Sequence, residues 1–173
     1  DLVIESASII DGTGRPAFRG SVAVDHGKIA AVGEAVGAGR ERVDADGLAL
    51  MPGIIDNHTH YDAQAFWDTA LTPSPLHGVT TVVAGNCGFS IAPTRPADRD
   101  LLGRTMEKVE DMDPACLAIG IPWDEFESFP EYLDAVRRRG TALNFAAYIG
   151  HTPLRLYVMG ADAAGRTATP EEI

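Results

Sequence analysis

His58 and His60 lie two residues apart, and Cys87 follows later in the same chain. Imidazole and thiolate are donors that suit a borderline metal such as zinc. Residues two apart on a strand share a face, so His58 and His60 aim at one point while Thr59 points away. With Cys87 they make a three-donor set. A catalytic metal keeps an open position for water, lowers that water's pKa and polarises the attacked carbonyl. A general base must then take the water's proton. Both observations also have a plainer reading. Two polar residues in the loop after a strand give the same pattern, and His-x-His is short enough to arise by chance. A free cysteine is commonly a small buried hydrophobe.

The elements that must position these residues are legible. Ile54 and Ile55 form a short apolar run entered through Pro52-Gly53. They predict a buried strand with the two histidines at its C-terminal tip. Val79 to Ala84 is rich in β-branched residues, as strands are, and runs into Gly85-Asn86-Cys87-Gly88, whose glycines permit sharp turns. A third strand, Ala142 to Ile149, ends in Gly150-His151. The repeated strand–helix order predicts a parallel α/β protein, and barrel active sites lie at the C-terminal strand ends. His151 therefore either lines the site or is a structural loop histidine. Asp62 either orients a metal-bound histidine or is a helix N-terminal acid stabilised by the dipole. Arg155 either holds a carboxylate bidentately or makes a structural salt bridge.

Residues 1–52 read as short strands and turns. Leu2 to Glu5 and Ala7 to Ile10 are apolar runs, and Asp11-Gly12-Thr13-Gly14 is a turn cluster. Ser21 to Val24 and Lys28 to Val32 flank Asp25-His26-Gly27, a hairpin signal that puts His26 on the surface. Arg42 to Leu48 adds a strand and turn. Beyond Cys87, the charged stretch from Pro96 to Asp111 carries Leu101, Leu102, Met106 and Val109 at near-helical spacing. Cys116 is expected to pack. The aromatics between Trp123 and Pro130 either overhang the site or cover the outside of the strands. Ser128-Phe129-Pro130-Glu131 is a capping box. It opens a helix that closes on Arg137-Arg138-Arg139-Gly140, where the helix C-terminus accounts for the basic run. His77 precedes a strand, at the end associated with stability. Thr169-Pro170-Glu171-Glu172 announces one more helix.

The 173 residues carry a formal net charge of −11, which argues against nucleic acid and anionic membrane as partners. There is no long apolar run and no signal-like N-terminus. Two cysteines far apart suggest no disulfide framework, so a cytoplasmic protein is expected.

Together these segments resemble a known family. Pro52 to Asp62 (Pro-Gly-Ile-Ile-Asp-Asn-His-Thr-His-Tyr-Asp) resembles the first barrel strand of the amidohydrolase superfamily. Gly78 to Gly88 resembles the second strand of one branch, the N-acyl-D-amino-acid deacylases or D-aminoacylases. Pro122-Trp123, Phe129 to Leu133 and Gly150 to Arg155 are similar to that branch too. The resemblance implies the N-terminal part of a (β/α)8 TIM-like barrel over 53–173, preceded by part of a small β-sandwich over 1–52. It implies zinc-dependent hydrolysis of an N-acyl-D-amino acid to a carboxylate and a free D-amino acid. Cys87 is then a ligand of the principal zinc, and His58 and His60 belong to the adjoining position: one tight zinc and a weaker second one. Asp62, Asn86 and His151 are expected beside the metal or the substrate.

Two further histidines and the aspartate base are expected beyond Ile173. Lys28 and Lys108 are the only lysines, and neither ends a barrel strand. That suits the cysteine-ligand branch rather than sites bridged by a carboxylated lysine. The implied partners are a small-molecule substrate and the remainder of the chain's own barrel, with a homo-oligomer left open. Other amidohydrolase activities (cyclic-amide hydrolysis or deamination) stand as alternatives, against which Gly-Asn-Cys-Gly argues. A non-catalytic scaffold is a further alternative, against which the retention of all three donors argues. Three strands would leave an open sheet edge, so this segment reads as a piece of a longer protein. Expressed alone, it is expected to be inactive and either unfolded or aggregated. Thermal unfolding followed by circular dichroism checks this, and a cooperative melt of a soluble monomer would count against it.

Overall fold

Strand β1 (Leu2–Ile9) organises the first sheet by burying Val3, Ala7 and Ile9. The computed structural model describes Asp1–Ile173, and the chain divides into two compact units, Asp1–Pro52 and Gly53–Ile173. In the first unit β1 pairs antiparallel with β2 (Phe18–Asp25), which pairs antiparallel with β3 (Lys28–Gly33). On its other side β1 runs parallel to β4 (Glu41–Asp44) and β5 (Ala49–Leu50). The two apolar runs of the sequence are thus one strand. Ser6, at φ 62°, lies where its register against β2 shifts, as at a bulge. The expected hairpin is present, with exposed His26 and Gly27 both at positive φ in its turn. Ala7, Ile9, Val22 and Ala45 form this unit's core.

The second unit is built on three parallel strands in the order β6 (Ile54–Thr59), β7 (Val79–Ala84), β8 (Asn144–Ala147). Gly53 leads into β6 because there is no room for a side chain: a Cβ there would stand 2.1 Å from Thr80 Oγ1. The β6–β7 connection contains two 3₁₀ turns, Gln64–Phe66 and Ser74–His77. Helices α1 (Arg99–Glu110), α2 (Pro114–Gly120) and α3 (Phe129–Arg139) connect β7 to β8, and α4 (His151–Met159) follows. No helix is long and apolar enough to cross a membrane.

Several expectations need correction. β6 is not a buried strand among these residues: Ile54 is 46 % and Ile55 65 % exposed. It is the edge strand of its sheet, paired on one side only, and edge strands lack a covering neighbour. Helix α1 buries Leu102 and Met106, one turn apart, and leaves Leu101 and Val109 exposed, so its apolar stripe is narrower than the spacing implied. Cys116 is exposed; its neighbour Leu117 is the residue of α2 that packs inward. The cap contact announced at Thr169 is made, with Glu172 Oε2 accepting the Thr169 N–H at 2.8 Å.

The capping box of α3 forms as expected. Glu131 Oε2 accepts the Ser128 N–H at 2.8 Å, and Gly140 closes the helix at φ 73°. Arg138 and Arg139 reach Glu125 at 2.9 and 3.1 Å. One buried face of α3 centres on Tyr132. Its ring lies 5.4 Å from Phe126, 5.9 Å from Phe129, 6.0 Å from Phe66 and 6.5 Å from Phe145, centroid to centroid. Of the two readings of the aromatics between Trp123 and Pro130, packing against the core is the one observed. The Tyr132 hydroxyl donates to the Asp62 carbonyl at 3.2 Å, tying α3 to the segment just after β6.

Tyr132 therefore carries both packing and a polar tie. Tyr132→Ala should cost about 3–5 kcal/mol, the usual range for emptying a buried aromatic site. Tyr132→Phe, which removes only the hydroxyl, should cost about 1 kcal/mol. Urea unfolding of the whole protein carrying either substitution, beside the unsubstituted whole protein, checks both figures.

Candidate metal centre

Parallel pairing brings the ends of β6 and β7 side by side. Thr59 pairs with Ala84, after a register irregularity between Asp56 and Thr59. At that irregularity Asp56 Oδ1 accepts the His58 N–H at 3.2 Å, a local turn that aspartate favours. Thr59 is buried and its hydroxyl donates to the Val83 carbonyl at 3.1 Å. Its inward side chain leaves His58 and His60 on the other face, as the two-residue period requires. The two imidazoles lie 5.4 Å apart between centroids, tilted by 37°.

Cys87 stands three residues past the end of β7, in a turn fastened at both sides. Asn86 Nδ2 donates to the Asn57 carbonyl at 3.0 Å, which ties this turn to the tip of β6. The Thr152 N–H donates to the Gly88 carbonyl at 2.9 Å, which ties it to the start of α4. Gly85 allows the close approach on that second side. It has φ 78°, and a Cβ there would lie 2.4 Å from the Tyr148 carbonyl oxygen. Tyr148 also donates its N–H to the Ala84 carbonyl at 2.9 Å. The Phe89 N–H points at the Cys87 sulfur from 3.5 Å.

The outcome is convergence: one donor atom from each of His58, His60 and Cys87, all within 4.8 Å of one another. Cys87 Sγ is 3.9 Å from His60 Nδ1. Tetrahedral zinc with Zn–N near 2.0 Å and Zn–S near 2.3 Å holds such donors about 3.5 Å apart. Two imidazoles and one thiol thus fit a zinc-type ion in donor chemistry, and a bound ion would draw them closer than their present separations of up to 4.8 Å.

The other sequence candidates take different positions. Asp62 is 1 % exposed, and neither carboxylate oxygen has a hydrogen-bond partner. Burial pushes its carboxyl up to about 7, and the nearby Glu110 carboxylate adds to the rise. Asn86 braces the strand tips as described. His151 is exposed at the first position of α4 and lies outside the converging group. Arg155 makes no structural salt bridge; its Nη2 donates to the Ala163 and Arg166 carbonyls at 2.8 and 2.9 Å. Sequence reasoning missed Glu110. This last residue of α1 places Oε1 2.5 Å from His60 Nδ1. Its one signal was an acid at a helix C-terminus, where the dipole disfavours negative charge.

A parallel sheet that gathers two histidines and a cysteine at adjacent strand ends defines a candidate metalloenzyme centre, and the chain belongs to the amidohydrolase family, whose model matches residues 41–173. Within that family it is similar to the N-acyl-D-amino-acid deacylases. It is 40% identical to the N-acyl-D-aspartate deacylase of Alcaligenes xylosoxydans xylosoxydans, over 99% of this chain and 32% of that protein. A D-aminoacylase with a binuclear metal centre superposes with a TM-score of 0.77 at 36% identity, covering 99% of this chain and 34% of that one. The N-acyl-D-glutamate deacylase of Bordetella bronchiseptica, complexed with zinc and a phosphonate mimic of the tetrahedral intermediate, gives 0.70 at 34% identity, covering 99% and 33%. The chain thus spans about a third of the length of the relatives it matches, and corresponds to their N-terminal portion.

Metal binding at this centre should be visible in thiol chemistry. Alkylation of the metal-free protein should modify Cys87, which is exposed, and added zinc should slow that modification about tenfold or more, since coordination ties up the thiolate. Peptide mass spectrometry reads position 87 separately from position 116. Equal rates at Cys87 with and without zinc would remove it from the centre.

Proposed function

We propose that the protein carrying this chain is a zinc-dependent hydrolase that cleaves the amide bond of N-acyl-D-amino acids. The observation that carries this reading is the convergence of His58, His60 and Cys87 within 4.8 Å at adjacent strand ends, in a chain whose relatives include an N-acyl-D-aspartate deacylase. In this reading the sheet β6–β7–β8 is the start of a (β/α)8 barrel, and β1 to β5 are part of a small β-sandwich that precedes it in the chain. The protein acts in the cytoplasm on a small-molecule substrate.

The chain's own residues divide the work. Cys87 holds the principal zinc, and His58 and His60 serve the adjoining, weaker position; the binuclear centre of the similar D-aminoacylase supports two positions. When bound, the metal would lower the pKa of a water and polarise the carbonyl under attack. Thr59 and Asn86 fix the strand tips, so that donors on two strands stay in register. Preset donors do not have to be reorganised during the reaction. Asp62, Asn86 and His151 stand on the substrate side of the centre or beside its ligands. The general base and the remaining ligands are contributed by residues after Ile173.

Purified whole protein should contain about one tightly held zinc per chain. It should release free D-amino acids from N-acetyl-D-amino acids and leave the L-enantiomers intact. Chelation should abolish the activity and zinc should restore it. Cys87→Ala should weaken zinc binding by more than the 10- to 100-fold typical of losing an outer hydrogen-bond partner. Zinc-dependent opening of cyclic amides, or deamination, without N-acyl-D-amino-acid hydrolysis would replace this reading with another amidohydrolase activity. A zinc-free, inactive whole protein would make it a scaffold.

A further inference from the structure

Helix α1 leaves part of its apolar surface uncovered. Leu101, Thr105 and Val109 recur every four residues and form one stripe along the helix, and Leu101 and Val109 are exposed. Between α1 and α4 lies a cleft of about 310 Å³, lined by Leu101 and Thr105 from the first helix and by His151, Arg155 and Leu156 from the second. Its third wall is the 3₁₀ turn Gly160–Ala164 after α4, through Ala161, Ala163 and Ala164. Small-ligand sites are mostly apolar clefts of about 300–1,000 Å³, and this one lies at the lower end of that range.

The polar groups in these walls are largely spent on the protein. Thr105 Oγ1 donates to the Leu101 carbonyl at 3.0 Å. Arg155 Nη2 donates to the Ala163 and Arg166 carbonyls, which uses both of its hydrogens and pins the alanine-bearing turn against α4. The cleft is therefore preformed, and what it offers a ligand is mainly apolar surface.

Both helices that form it are attached to the metal centre. α1 ends at Glu110, in contact with His60. α4 begins at His151, and the next residue, Thr152, donates its N–H to the Gly88 carbonyl at 2.9 Å. A Cβ on Gly88 would lie 3.8 Å from the His151 Cβ, and Gly88 directly follows Cys87. The cleft thus begins beside the cysteine turn and extends along α1 away from the centre. Thr105 and Leu101 precede Glu110 by about 7.5 and 13.5 Å along the helix axis, at 1.5 Å per residue.

An N-acyl amino acid has two arms on either side of its amide. The amino-acid arm carries a carboxylate, whereas the acyl arm is apolar throughout. An apolar cleft whose arginine has already committed Nη2 suits the uncharged arm. We infer that the cleft between α1 and α4 is the acyl-chain subsite, and that Ala161 and Ala164 set the chain length it accepts. This rests on the amide-hydrolase reading given above and adds to it a preference for acyl chains longer than acetyl. It also gives the exposed stripe of α1 a role, as a track for that chain.

The test uses the whole protein and N-acyl-D-amino acids that share one amino acid and run from acetyl to octanoyl. kcat/KM for the N-octanoyl compound should exceed that for the N-acetyl compound at least about tenfold, since each buried methylene contributes about fourfold. Ala161→Phe and Ala164→Phe, at exposed positions of the turn, fill the cleft and should cut that ratio to about twofold or less. Glu107→Phe adds a ring at an exposed position of α1 outside the cleft and should leave the ratio as it was. A ratio does not depend on how much protein is folded, so misfolding cannot imitate the result. Calorimetry on zinc-free whole protein, where nothing turns over, should show the N-octanoyl compound binding more tightly than the N-acetyl one by a similar factor. Equal affinities, no gain with chain length, or a gain that both phenylalanines leave intact would each overturn the inference. So would phenylalanine variants that change the preference between D-alanine and D-leucine but not between acyl chains, because the cleft would then hold the amino-acid side chain. If the whole protein hydrolyses no N-acyl-D-amino acid, the functional reading falls and takes this one with it. If it hydrolyses them without regard to acyl length, this one falls alone.

Discussion

The parallel hydrogen bonding of β6 to β7 is the constraint on which the centre depends. Neighbouring strands stand about 4.8 Å apart, comparable to the distances between ligands of one metal ion. Two strands running the same way end side by side, so residues at their tips meet without any long loop to bring them together. Antiparallel pairing would place the tip of one strand beside the start of the other. The pairing of Thr59 with Ala84 sets the register. The Thr59 hydroxyl on Val83 and the Asn86 amide on Asn57 hold it at the very end, where a sheet would otherwise fray.

How much of this was legible in the sequence follows from the range of the forces involved. The strands bearing His58, His60 and Cys87 were readable because β-branched runs, glycine turns and the two-residue period are local. The capping box at Ser128 and Glu131 was readable for the same reason. Errors arose where distant neighbours decide. Ile54 and Ile55 look like core residues, yet within this chain β6 is paired on one side only. Cys116 sits in an apolar stretch, but α2 turns Leu117 inward instead. The structural salt bridge weighed for Arg155 gave way to two backbone carbonyls. Glu110 had no chance of being paired with His60 from the sequence, since a whole helix and a strand separate them.

Local rules are broken most visibly around the centre. The Asp62 carboxylate is buried without a hydrogen-bond partner, and Glu110 places negative charge where the helix dipole opposes it. Each arrangement lowers stability when considered alone. Such departures from local consistency concentrate at functional sites, and these two lie near His60, with Glu110 in contact with it and close enough to Asp62 to raise its carboxyl. Away from the centre, Tyr132 and its ring of aromatics satisfy packing and hydrogen bonding together. The protein is thus conventionally packed behind the strands and electrostatically uneven at their ends.

Gly85 adds a purely spatial condition. The backbone leaving β8 passes so close to this position that a methyl group would overlap the Tyr148 carbonyl. The strand that follows three helices later is therefore seated against the same turn that carries Cys87. Any side chain placed at this position would force β8 and the turn apart, so a residue with no chemistry of its own sets how closely the third strand can stand to the cysteine.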